Sequence, residues 1–211
     1  MWCSDLSPAD WITHSDVPWN QLVTFGPDVF PAYARLRFIP DPTAPGQSEN
    51  DARVGEGHPT DDEQLRTLVG ALLDHTATPN DLYFCLWEGW GLDGGAVYMR
   101  GDGTRTVEPP SFPAHVLAAP RVEVPHRSYL LFRGALTELG RWGAAERWPG
   151  SSATWAPAFV WPADRSWCVA KDVDPHWAGI GATEAAVTAL VGDPRLDIVR
   201  ANRHESQPCY A

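Results

Sequence analysis

The sequence predicts a single α+β domain over residues 1–211, built on a mainly antiparallel sheet of about six strands with two or three helices. Three observations carry this. Residues 81–88 (DLYFCLWE) and 166–170 (SWCVA) are apolar at consecutive positions, as strands covered on both faces are. Thr60 and Glu63 form a capping box ahead of Leu65, Leu68, Val69, Leu72 and Leu73, which recur at helical spacing. Finally, 18 Gly and 20 Pro are spread along the chain, so no linker divides it.

Taken in order, residues 1–17 read as a loose polar leader with a short helix at 10–14. Trp19, Leu22, Val23 and Phe25 make a brief amphipathic segment that stops at Gly26-Pro27. Residues 32–39 (AYARLRFI) alternate, with Tyr33, Arg35 and Arg37 on a wet face; the two arginines could meet an anion or pair with nearby acids. Residues 40–59 are rich in Pro, Gly and acids and read as a mobile loop. The capped helix follows at 61–75. The strand at 81–88, the glycines of EGWGLDGG and a strand at 96–100 read as a hairpin with a wide loop. Residues 101–120 are irregular, and 121–124 and 128–133 read as strands bent at Pro125-His126. Leu136, Leu139 and Trp142 place a short helix at 134–146, and 158–161 reads as a strand.

The last third is the richest in chemistry. After the 166–170 strand the chain turns polar at Lys171, and Pro175 blocks an ordinary strand. Gly179 and Gly181 predict a turn. Thr183 is the N-cap of a helix with Glu184 in its first turn and a stripe of Ala186, Val187, Leu190 and Val191. Gly192 and Pro194 stop it, residues 196–199 return as a strand, and 201–211 read as a loose tail.

Composition excludes several roles. A net charge of −11 disfavours nucleic acid, whose binding requires phosphates to be neutralised by Lys and Arg, and disfavours anionic membrane surfaces. It is compatible with a basic protein partner. Lys171 is the only lysine; the other basic residues are arginines, a usage that fits a high-GC bacterial genome. The four cysteines are far apart and form no C-x-x-C pair, so no cysteine zinc site is predicted. Residues 1–16 lack the basic and apolar regions of a signal peptide, and no apolar run approaches membrane-spanning length, which predicts a cytoplasmic protein with reduced thiols.

Lys171, Asp172, Asp174 and His176 are the densest reactive set. Asp172, Asp174 and His176 alternate, so an extended backbone would put them on one face, where they could hold a divalent metal or act as acid and base in hydrolysis. The alternative is a solvated loop, with His176 packed on Trp177. The glycines ahead of the helix match neither a phosphate loop nor a dinucleotide fingerprint. Of 11 tryptophans, Trp87, Trp90 and Trp177, with Glu88, could line a ligand or sugar site; core packing is the plainer use of indoles. Glu88 and Asp93 flank an aromatic floor as glycosidase carboxylates do, although loop acids more often serve the turn.

The segments DLYFCLWEGWG and WPADRSWCVAKDVDPHWAGIGA resemble uncharacterised proteins of high-GC bacteria, a resemblance that implies no activity, cofactor or catalytic residue. The functional expectation is therefore a cytoplasmic binding or regulatory protein, such as an acidic inhibitor of a basic partner. The alternatives are a metal-assisted hydrolase centred on Asp172, Asp174 and His176, and a small-molecule or sugar binder using the tryptophans. No cofactor is predicted beyond a possible divalent metal.

Overall fold

The computed structural model of the chain describes residues 1–99, 103, 105–144 and 155–211. Its strands are β1 (Ala32–Arg37), β2 (Leu82–Trp87), β3 (Val97–Met99), β4 (Arg105–Val107), β5 (Val122–Val124), β6 (Arg127–Gly134), β7 (Phe159–Pro162), β8 (Cys168–Ala170), β9 (Trp177–Ala182) and β10 (Ile198–Arg200). Its α-helices are α1 (Asp10–Thr13), α2 (Trp19–Phe25), α3 (Asp61–Leu72), α4 (Ala114–Leu117) and α5 (Glu184–Val191). Eight strands form one sheet in the order β10-β1-β9-β8-β7-β2-β6-β5, and β3 with β4 forms a separate ribbon. Every neighbouring pair is antiparallel. The α+β class is as expected, but the sheet is wider than six strands.

Alternation within the strands sends side chains to two cores, one on each face. On one face Leu36, Leu82, Phe84, Leu86, Val160, Val169 and Ile180 meet α3 and α5. Helix α3 supplies Leu65, Leu68, Val69 and Leu72, each no more than 1% exposed. Burying such a side chain contributes roughly 1.5–3 kcal/mol. The predicted capping box is present: Glu63 accepts from the Thr60 backbone N–H, and Thr60 accepts from that of Glu63. On the other face Tyr83, Cys85, Leu131, Phe159, Trp161 and Cys168 meet Ile12, Leu22 and Val23 from α1 and α2.

The glycine turn at 179–181 is corrected. Gly179 and Gly181 lie inside β9, paired with Arg35 and Tyr33 of β1. A Cβ on Gly179 would overlap the Thr24 carbonyl oxygen, and one on Gly181 would overlap the Phe30 ring. These glycines let the end of α2 and the chain after it lie against the strand; the constraint is a close approach, not a bend. β9 is thus a strand of the sheet that the sequence does not predict.

Three further expectations change. Strand β2 does not pair with β3 but lies between β6 and β7, and β3, exposed along its length, pairs with β4. The expected strand end at Arg100 lies outside the described residues. The helix expected at 134–146 is a 3₁₀ turn at Leu136–Glu138, after which Gly140 and Gly143 adopt φ of 71° and 67°, which an α-helix excludes. Leu139 and Trp142 are nevertheless buried, and residues 145–146 lie outside the described residues. Face pairing also differs in β1, where Arg35 is 5% exposed instead of wet.

Both ends of the chain are docked. Trp2 bridges to Phe132, and Ala9 and Ile12 are fully buried. In the tail, Pro208 accepts a hydrogen bond from Trp177 Nε1, Tyr210 Oη donates to the Pro40 carbonyl, and the Ala211 N–H donates to that of Gln47. The last two contacts tie the tail to the 40–59 loop.

Gly179→Ala is expected to cost about 3 kcal/mol, because the clash is with a backbone oxygen in a packed layer. Gly192→Ala, whose Cβ would find its nearest neighbours at 3.6 Å, is expected to stay within about 1 kcal/mol of the parent. Urea unfolding midpoints of the two variants check the contrast.

Candidate functional site

A cavity of about 550 Å³ opens where the α3 N-terminus overhangs the ends of β2 and β8. Thr60, Asp61 and Asp62 line it from α3, and Trp87 and Trp90 from the end of β2 and the turn after it. Trp155, Ala156 and Ala158 line it ahead of β7, and Lys171, Asp172 and Val173 after β8.

Each wall has a local cause. β2 ends at Trp87, and Glu88–Trp90 forms a 3₁₀ turn. The Trp87 indole folds back against Gly89, where a Cβ would overlap it. Trp90 meets Trp87 edge-on, with centroids 5.6 Å apart at 73°, a favourable quadrupole arrangement. The Trp155 carbonyl accepts from Trp142 Nε1 at 2.9 Å, which secures that wall to the core. The Lys171 N–H donates to the Ala158 carbonyl at 2.8 Å, which fixes the lysine at the rim of the sheet.

Charge in the cavity is unevenly partnered. Asp172 receives two bonds from Arg127, from Nε and Nη2, both at 3.0 Å. The same guanidinium lies 5.1 Å from the Trp87 ring centroid. The Lys171 side chain is 13% exposed. Its Nζ lies 4.0 Å from Asp61 Oδ2 and 5.1 Å from the Phe38 ring centroid. Burial pulls the Lys171 pKa below the usual lysine value, against the opposing charges of Asp61, Asp172 and Glu49.

Of the residues singled out in the sequence, Trp87, Trp90 and Asp172 meet here. The others are elsewhere. Glu88 is exposed and pairs with Arg121 at 3.2 Å. Trp177 is 5% exposed, under Arg35 and beside Phe25, and borders a separate hollow of about 270 Å³. Asp174 is exposed. The expected convergence of Asp172, Asp174 and His176 is corrected: residues 171–176 are irregular around Pro175, so the alternation of an extended strand is lost. No group of three His, Cys, Asp or Glu side chains that could hold a metal ion is found among the described residues. Nothing in the sequence assigns Lys171 a role or connects Trp155 or Asp61 with it. The one available signal was compositional: a single lysine in an arginine-rich chain.

His176 belongs to a second polar cluster. Its Nε2 lies 3.0 Å from Asp41 Oδ1. Arg35 makes a two-pronged contact with Asp41 at 2.8 and 3.1 Å, and Arg37 Nη1 adds a third at 3.3 Å. The Tyr210 ring stands edge-on to the imidazole at 4.8 Å. Burial pushes Asp41 up, but bonds from Arg35 and His176 and the Arg35 charge outweigh it and hold its pKa at about 2. Arg35 and Arg37, candidates for an anion, are thus occupied by an acid of the chain itself.

No protein-family model matches the chain, and comparison with curated proteins and with solved structures gives no significant match. No helix among the described residues is long and apolar enough to cross a membrane.

The Asp41 cluster sets a pH dependence. Its carboxyl is lowered from 3.8 to about 2 on folding, so its contribution is complete above pH 3.8 and is lost as pH falls through about 2. Asp41→Asn is expected to lower stability at neutral pH and to flatten the decline between those two values. Thermal unfolding across that acid range checks it.

Proposed function

We propose that the protein binds a small, uncharged ring compound bearing hydroxyl groups, a sugar or a hydroxylated aromatic, in the cavity beside α3. The observation that carries this reading is convergence. Three indoles, one amine and three carboxylates from separate parts of the chain line one hollow of about 550 Å³. That volume is within the range of roughly 300–1,000 Å³ typical of small-ligand sites. Indole faces suit the apolar face of a ring, and the carboxylates and Thr60 suit hydroxyl donors.

Charge favours a neutral ligand. Asp172 is already matched by Arg127, while Asp61 and Asp62 stand at the mouth with side chains 57% and 41% exposed. Asp62 is paired with Arg66 at 3.6 Å and Asp61 faces Lys171 at 4.0 Å, so these charges offset one another in pairs, and a neutral ligand disturbs them least. The net charge of −11 also fits a basic protein partner, but net charge specifies no contact residue, whereas the cavity does.

Titration with a panel of monosaccharides and phenols is expected to give saturable changes in tryptophan fluorescence and a rise in Tm, since a ligand that binds only the folded state stabilises it. Trp90→Ala is expected to weaken that binding about tenfold, ~1.4 kcal/mol. A panel that leaves both fluorescence and Tm unmoved overturns the reading.

A further inference from the structure

We infer that Lys171 is a covalent anchor: its Nζ forms a reversible imine with the carbonyl group of an aldehyde or ketone whose ring is held by Trp87, Trp90 and Trp155. This rests on the cavity being a small-molecule site and specifies the class of compound it takes.

The geometry has three parts. First, the amine lies in the wall of the cavity and not at the surface, its side chain 13% exposed. Second, the acid next to it in sequence does not hold it as an ammonium. Asp172 is turned to Arg127, with both oxygens engaged at 3.0 Å. Among the described residues Lys171 has one ion-pair neighbour, Asp61, at 4.0 Å, beyond hydrogen-bond length. Third, apart from Thr60 and the acids, the described residues around it are aromatic or aliphatic: the Phe38 ring at 5.1 Å, then Trp87, Trp90, Trp155, Ala156, Ala158 and Val173 around the cavity. A largely buried amine in such surroundings loses its proton more readily than one in water, and only the free amine is a nucleophile. The charged groups facing it are Asp61 and Asp62 from α3, Glu49 from the turn at Glu49–Asp51, and the Asp172–Arg127 pair. Burial prevails over the acids among them, leaving the amine more acidic than usual.

The step balances without an added reagent. Asp61 takes a proton from the ammonium. The Nζ lone pair attacks the carbonyl carbon, a C–N bond forms and the C=O π pair moves to oxygen. Transfer of a proton from nitrogen to that oxygen gives the carbinolamine. Asp61 then returns its proton to the hydroxyl, which departs as water while the C=N bond forms. One water is released, nothing is oxidised or reduced, and hydrolysis reverses every step.

The test uses the full chain with 4-hydroxybenzaldehyde as probe, sodium cyanoborohydride to trap the imine, and peptide mass mapping. Because Lys171 is the only lysine, an adduct on a lysine is an adduct at this site. The free peptide of residues 169–174 is the reference for an exposed lysine. Expected are a rate that saturates with probe, an advantage of about tenfold or more over the peptide near pH 7, and a rise of the rate with pH whose midpoint lies below that of the peptide. The unaltered chain is also expected to bind 4-hydroxybenzyl alcohol, which lacks the carbonyl, read by tryptophan fluorescence, and Lys171→Met, which keeps the length of the side chain but removes the amine, is expected to abolish the trapped adduct. A trapping rate equal to that of the peptide, or no adduct at Lys171 while the alcohol binds, overturns the imine and leaves the cavity reading standing. No adduct together with no binding of the alcohol overturns both.

Discussion

The two-pronged ion pair between Arg127 and Asp172 joins the parts on which the cavity depends. Arg127 begins β6, and Asp172 lies in the connection between β8 and β9. Their side chains are 16% and 11% exposed, so the pair is largely removed from water. Such a pair contributes to stability only when its geometry offsets the loss of hydration, and two parallel bonds at 3.0 Å do so as well as a guanidinium can. The guanidinium also lies 5.1 Å from the Trp87 ring and 5.9 Å from that of Trp19. One side chain therefore sets the position of an indole wall and the path of the loop that carries Lys171. The pair of Arg133 with Asp81 is also two-pronged, but its arginine is 53% exposed, and hydration there leaves little net gain.

The hollow follows from how the helical layer ends. The first turn of α3 carries Asp61, Asp62 and Glu63, which favour the positive end of the helix dipole. The same charges cannot enter the apolar layer that Leu65, Leu68 and Leu72 form against the sheet. The layer therefore opens at the helix N-terminus, above strand ends that carry Trp87 on one side and Lys171 on the other. On the opposite sheet face the end of α2 lies so close to β9 that only glycine fits at position 179. The hollow lies at the end of the sheet, with Trp90 and Trp155 packed on the α3-side core and Trp87 and Ala158 on the other.

Much of this was legible locally. The Thr60–Glu63 box, the apolar run of β2, the Thr183 cap and the Gly192 stop of α5 depend on neighbours within a few residues, and each stands as the sequence implies. What was not legible depends on distant partners. Gly179 looks like a turn residue until Thr24 is placed beside it, and residues 1–17 look like a leader until Trp2 reaches Phe132. Alternation in 172–176 suggested a shared face, but Arg127 lies 45 residues away from Asp172, and Asp41 lies 135 away from His176. Trp87 and Trp90 were recognisable as a pair because a short turn joins them. Trp155 joins them only through the fold.

The identity of residue 171 adds a chemical argument. The chain uses arginine for every basic side chain except this one. A guanidinium keeps its proton at any ordinary pH and needs its five donors satisfied when buried. At this wall Asp172 is already committed to Arg127, and Asp61 stands at 4.0 Å, so an arginine would leave donors unmet in an aromatic enclosure. An ammonium can instead give up its proton, and burial favours that. The position thus accepts a primary amine for the same reason that the amine there is reactive: the surroundings do not compensate a full positive charge. Structure and chemistry at this wall have one cause, the diversion of Asp172 to a different cation.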